Sequence, residues 1–199
     1  MQALALRASV DEARHVAMCA RLARTYGARV QVDAPPTSEL EPQELSLEDA
    51  TLAEIVSLCC IGETLSAAAF GAILESAEPR EIRDVAQSIV HDEALHAELG
   101  WSHLEAQVAL GRDAFLSRRL PGLVANGIPD DFRSPAPDLR DDETSQARVW
   151  GLLPAAKRRA ILRDTFDALI WPKLDTLGID TVVAREWLAE RNDGDPPSR

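Results

Sequence analysis

The chain has 199 residues, a net charge of −12 from 33 acidic and 21 basic side chains, and a hydrophobic fraction of 46%. That length fits one compact domain, and that apolar content supports a core, which excludes global disorder. The acidic balance disfavours nucleic acid or an anionic membrane as partner, because phosphates need a basic patch, and no apolar run approaches the roughly 18 residues of a membrane span.

Ala, Leu, Glu and Arg dominate and no β-branched alternation is visible, so the chain reads as all-α. Met1 to Leu6 are followed at once by Arg7, Asp11 and Glu12, which is no secretory signal, and a first helix runs from about Gln2 to Tyr26, with Gly27 as its stop. Residues 28–47, with Pro35, Pro36 and Pro42, form a connector long enough to cross the end of a bundle. A second helix opens at Ser46 or Glu48 and runs to about Ser76; a third starts at Pro79 and reaches about Leu110 before Gly111. A shorter piece continues to Leu120 and ends at Pro121-Gly122. Residues 121–142, with Pro121, Pro129, Pro135, Pro137 and several aspartates, read as a loop. A fourth long helix covers Pro154 to Leu177, kinked at Pro172 and stopped by Gly178. A last helix, Asp180 to Arg191, precedes a tail that frays. The expected organisation is therefore a block of helices over 1–120, a Pro/Asp-rich loop over 121–145, C-terminal helices completing the bundle over 146–191, and a disordered tail over 192–199.

Projected on a 3.6-residue period, the first helix aligns Ala5, Ala8, Glu12, His15, Cys19, Leu22 and Tyr26. The second aligns Val56, Cys59, Glu63, Ala67, Phe70 and Leu74, and the third Ile82, Ala86, Ile89, Glu93, His96, Gly100 and Leu104. An isolated buried carboxylate costs several kcal/mol, and no Lys or Arg sits on these stripes. Cations between the helices offset that cost. Two Glu-x-x-His pairs, Glu12/His15 and Glu93/His96, with Glu63 between them, supply hard oxygens and imidazole nitrogens for two metal ions. Asp11-Glu12-Ala13-Arg14-His15 also recurs as Asp92-Glu93-Ala94-Leu95-His96. Metal-bound imidazoles usually donate their other N–H to a carboxylate, so Asp11 and Asp92 are candidates to brace the histidines, each across the bundle, with a solvated surface acid as the plain alternative. His103, two turns after His96, is a further ligand or proton shuttle, or an ordinary hydrogen-bonded histidine. Cys19, Cys59 and Cys60 lie near the proposed ligands. Thiolate ligation favours zinc, simple packing is the commoner use, and reduced thiols suit a cytoplasmic protein.

This doubled motif with an intervening Glu resembles the ferritin-like di-iron carboxylate superfamily, and most resembles bacterial ferritin-like domain-containing proteins, over roughly residues 2–110. The resemblance implies a ferritin-like antiparallel bundle with a long crossover connection and, here, extra C-terminal helices. It implies two Fe ions (Mn or Zn as alternatives) on Glu12, His15, Glu63, Glu93 and His96. It further implies an O2-using oxidoreductase, oxidase or ferroxidase whose electrons come from Fe(II) or an organic small molecule. The family's first Glu-bearing helix has no counterpart before Glu12. Three explanations stand: a fragment or late start, a helix from a second subunit in a homodimer, or the Pro154–Leu177 helix with Asp164 or Asp167 as substitute ligand. The alternative function is a non-catalytic module or partner subunit that keeps a structural or vestigial metal site.

Overall fold

The computed structural model describes residues 2–30, 45–133, 147 and 149–192, and among these every regular element is helical. Helix α1 spans Gln2–Thr25. Helix α2 is one rod over Leu47–Ser76, in which α-helical Leu47–Ile55 and Glu63–Ser76 flank a π-helical stretch, Val56–Gly62. Helix α3 spans Arg80–Ala109, α4 Asp113–Gly127 and the single turn α5 Asp130–Arg133. Helix α6 joins Ala155–Thr165, a second π stretch Phe166–Ile170, and Trp171–Thr176; α7 is Val182–Asn192.

Local chemistry accounts for most of these limits. The Ser46 hydroxyl accepts the Asp49 N–H at 3.1 Å, and Glu48 and Asp49 place negative charge in the first turn of α2. Pro79, extended and without an N–H, precedes α3. Gly27 and Gly178 adopt φ of +84° and +74° just past α1 and α6, a left-handed conformation that stops a helix.

Both α1 and α2 run antiparallel to α3. Tyr26 at the end of α1 donates to Glu81 at the start of α3 (2.8 Å), while Asp11 faces His96 further along. Ser66 of α2 meets Glu93, Trp101 of α3 donates to Thr64, and Arg112 just beyond α3 pairs with Asp49. Helix α1 thus ends where α3 begins, and α2 begins where α3 ends. Of the connector between them, residues 31–44, including Pro35, Pro36 and Pro42, lie outside the described residues, as do Pro135, Pro137 and the tail after Asn192.

The main core belongs to α2, α3, α4, α6 and α7: Leu52, Ile61, Leu65, Leu104, Leu116, Leu120, Val124, Phe166, Ile170 and Leu174 are fully buried. Helix α1 stands apart from it. Among its described side chains only His15 and Ala20 are buried, while Leu6 and Val10 are 69% and 62% exposed. The expected inward stripe of α1 is therefore corrected: Cys19 and Tyr26 are exposed, and so is half of the Glu12 side chain, because α1 packs on α3 and leaves its other flank uncovered.

Three further expectations change. The break at Pro121-Gly122 is absent, since α4 runs through Pro121 to Gly127. Burial of Leu120, Leu123 and Val124 outweighs the hydrogen bond that a proline forgoes. The stripe joining Asp164, Asp167 and Trp171 is split, with Trp171 buried and both aspartates exposed. The π stretch Phe166–Ile170 contains Asp167 and separates Asp164 from Trp171, and it shifts the helical phase that a 3.6-residue projection assumes. Finally, α2 is long and apolar enough by composition to cross a membrane, although Glu63 interrupts the run; in this fold it carries buried Leu52, Val56, Cys60, Ile61 and Leu65 in the core.

Helices α2 and α3 approach closely at Gly100, where an added Cβ would lie 2.5 Å from Cys59 Cβ and 3.1 Å from Cys59 backbone carbon. Gly100→Ala is expected to lower the unfolding free energy by about 1–3 kcal/mol in a urea titration, by forcing the two rods apart. Gly71→Ala, whose new methyl meets nothing within 4 Å, is expected to leave stability unchanged or raise it by up to about 1 kcal/mol. Equal midpoints for the two variants would contradict this packing.

Candidate metal centre

Glu12, Glu63, Glu93 and His96 come from three helices and offer ligand atoms that all lie within 4.8 Å of one another, a group that could hold a metal ion. His15 flanks it, with its ring centroid 6.3 Å from that of His96. His15 Nδ1 lies 3.2 Å from Glu12 Oε1 and 3.7 Å from Glu93 Oε1. His96 Nδ1 lies 3.4 Å from the same Glu12 oxygen, 4.0 Å from Glu63 Oε1 and 4.0 Å from Glu93 Oε2. Glu12 and Glu93 thus each face both imidazoles, whereas Glu63 faces only His96.

The outer ring nitrogens point to aspartates on the opposite helix. His15 Nε2 is hydrogen-bonded to Asp92 Oδ2 at 3.0 Å, and His96 Nε2 lies 3.5 Å from Asp11 Oδ2. When Nε2 carries the proton toward an aspartate, Nδ1 is left with a lone pair. That lone pair points at carboxylate oxygens, so acceptors face acceptors. His15 Nδ1, His96 Nδ1 and Glu93 Oε2 are all buried without a hydrogen-bond partner, and so is His96 Nε2, whose 3.5 Å approach to Asp11 is a contact and not a hydrogen bond. Buried acceptors converging in this way are relieved by a cation or by protons on the acids, and imidazole with carboxylate oxygen is a donor set that could hold Fe, Mn or Zn.

Burial differs across the group. Glu93 and Asp92 are buried, Glu63 is largely buried, and Glu12 is half exposed on the open flank of α1. Burial, reinforced by the Glu12 charge, pushes the Glu63 carboxyl up to about 8 from 4.5. Burial first, then the charges of Glu63, Glu12 and Glu54, push the Cys59 thiol up to about 11, so it stands beside the group as a neutral thiol. Cys60 is buried and its thiol is likewise raised by burial, while Cys19 is exposed.

Two contributors were not anticipated. The Ser66 hydroxyl donates to Glu93 Oε1 at 3.1 Å. Its signal is the spacing: Ser66 follows Glu63 by three residues, as each histidine follows its glutamate. Arg14 pairs with Asp11 at 3.0 Å and also with Asp92. No cation occupies the stripes themselves, but this long side chain reaches round to them.

The remaining candidates lie elsewhere. Asp164 is exposed and paired with Arg163, and Asp167 is exposed, so neither joins the group. The inward positions of α6 are taken instead by Ile161, Leu162, Thr165 and Phe166. His103 is half-buried about 10 Å further along α3 and is not part of the group. Trp101, beside the site, is buried with Lys173 over its ring at 4.8 Å.

No protein-family model matches this chain, and no curated protein or solved structure matches it either.

The raised carboxyl of Glu63 makes the metal-free protein sensitive to pH. The folded state holds a proton on Glu63 up to about pH 8, whereas the unfolded chain releases it near 4.5. Stability from this group is therefore complete below about 4.5 and is lost as pH rises toward 8, at about 1.4 kcal/mol per pH unit at most. Metal-free Glu63→Gln is expected to match the wild type near pH 4.5 and to exceed it above pH 8 in guanidinium unfolding midpoints. Parallel curves for the two proteins would contradict the burial of an ionisable Glu63.

Proposed function

We propose that the chain is a metal-binding helical-bundle protein that holds two iron ions and acts as a non-haem di-iron oxidoreductase or ferroxidase-like protein. The observation that carries this reading is the pair of buried Nδ1 atoms, on His15 and His96, each unpartnered and facing carboxylates shared between them. The resemblance of the doubled Glu-x-x-His pattern to ferritin-like di-iron carboxylate proteins supports iron as the metal.

Charge supports bound cations. Glu12, Glu63, Glu93, Asp11 and Asp92 make five carboxylates, and the guanidiniums of Arg14 and Arg7 pair with the two aspartates, so the three glutamates keep an acidic excess at the centre of the group. Divalent cations offset it, which lowers the desolvation cost of clustering acids in a bundle. Each residue then has a task. His15 would hold one ion and His96 with Glu63 the other, while Glu12 and Glu93, each near both histidines, would serve both. Ser66 holds one Glu93 oxygen in place, Asp92 fixes the His15 tautomer, and Asp11 faces His96 Nε2 from 3.5 Å. A ferrous pair supplies electrons for reducing O2, with Fe(II) or an organic molecule as the donor that restores them. The half-exposed Glu12 puts one member of the group in contact with solvent.

A second reading is a single structural ion, zinc or manganese, without turnover. Its support is that the tightest group has four donors and excludes His15. Anaerobic Fe(II) loading followed by metal analysis separates the two. The di-iron reading expects about two Fe per chain, fewer than about one in Glu93→Ala, and O2 uptake when Fe(II)-loaded protein meets air. About one ion per chain with no O2 uptake would establish the structural site instead. No uptake of any of the three metals would end both readings.

A further inference from the structure

The repeated motif differs between its two copies in one chemically important place. Asp11, Glu12 and His15 recur as Asp92, Glu93 and His96, but Arg14 recurs as Leu95. Because α1 and α3 are antiparallel, the copies face each other about a local twofold axis, each aspartate reaching the opposite histidine. Full symmetry would give each aspartate its own cation. Here Arg14 touches both aspartates, Asp92 has it as its guanidinium partner, and Asp11 also has the more exposed Arg7 at 3.6 Å.

We infer that Arg14 is a positioning residue shared by the two halves of the site, a single guanidinium that braces both aspartates and thereby couples the two metal positions. The inference rests on the two-ion reading and adds to it. Arg14 Nη2 donates to Asp11 Oδ1 at 3.0 Å and to Asp92 Oδ2, the oxygen that also meets His15 Nε2. Asp11 Oδ2 in turn faces His96 Nε2 at 3.5 Å. The contacts therefore run His15–Asp92–Arg14–Asp11–His96, an arc round the outside of the ligand group that ends at both histidines.

This arc has consequences that a surface ion pair lacks. Asp92 and Asp11 are only 5% and 14% exposed, and a second acid in contact with the same nitrogen repels the first unless the cation stays between them. With Arg14 gone, Asp92 loses its guanidinium beside His15 and Asp11 keeps only the exposed Arg7, so the acids behind both imidazoles are less firmly held. Arg14 itself is 47% exposed, so its removal opens no hole in the core. Leu95, at the equivalent place on α3, is 43% exposed and leaves space for a longer side chain there.

Co(II) titration of the whole chain, followed by visible absorbance and competition with a chelating dye, tests the inference. Wild type is expected to take up two ions, and Arg14→Gln to bind both about 10–100-fold more weakly. Arg14→Lys should recover only part of this, because an ammonium lacks the planar fork that spans two carboxylates. Leu95→Arg placed in the Arg14→Gln background should restore binding from the other helix. Two results overturn the inference: Arg14→Gln binding both ions as wild type does, or losing only one of them. Arg14→Lys and the double variant carry the same comparison if Arg14→Gln does not fold. A wild-type chain that takes up no Co(II) would overturn the metal reading itself, and that outcome is distinct from a normal wild type with an indifferent Arg14.

Discussion

Lone pairs converging without a proton between them are the constraint on which the site, and the seating of α1 beside it, depend. His15 Nδ1, His96 Nδ1 and Glu93 Oε2 are buried with no donor in reach, and further carboxylate oxygens lie within 4.0 Å of the two imidazoles. In a low-dielectric interior such an arrangement is repulsive, so it persists only with positive charge at its centre or with protons taken up by its acids. The upward shift of Glu63 is the second of these responses.

The same constraint explains the unusual attachment of α1. Most helices of this size are held by an apolar stripe. Here Leu6, Val10 and Val16 face outward, the apolar seat is small, with Ala20 buried, and polar contacts join α1 to α3: Asp11 to His96, His15 to Asp92, Arg14 to Asp92 and Tyr26 to Glu81. The site is therefore part of what holds the helix, and binding at the site and docking of α1 are linked by mass action. The other helices do not depend on it in this way, because α2, α3, α4, α6 and α7 share a continuous apolar core.

Helix α2 contributes Glu63 through a different device. The π stretch Val56–Gly62 ends immediately before it, and Gly100 lets Cys59 of that stretch lie directly against α3. Such insertions shift helical phase locally, and this one presents Glu63 and, three residues on, Ser66 toward Glu93 and His96. The second π stretch, in α6, acts in the opposite sense for the site, since it buries Trp171 and leaves Asp164 and Asp167 in solvent.

The amino-acid sequence by itself determined what local rules can determine. Helical composition, glycine stops and a serine cap delimit most of the rods. A Glu and a His three residues apart must share a helix face, and the repeat of Asp-Glu-Ala-x-His marks two faces with the same chemistry. Only the tertiary structure decided what those faces meet. It decided that Glu12 is half exposed, because exposure depends on which neighbours cover α1. It carried α4 through Pro121, because buried leucines outweigh one absent hydrogen bond. It brought Arg14 from off the stripe onto two aspartates, one of them 78 residues away, because a long flexible side chain acts where it can reach rather than where its Cα lies. Periodicity is a property of one helix at constant pitch, whereas ligand geometry is a property of several helices whose pitch and spacing are set by one another.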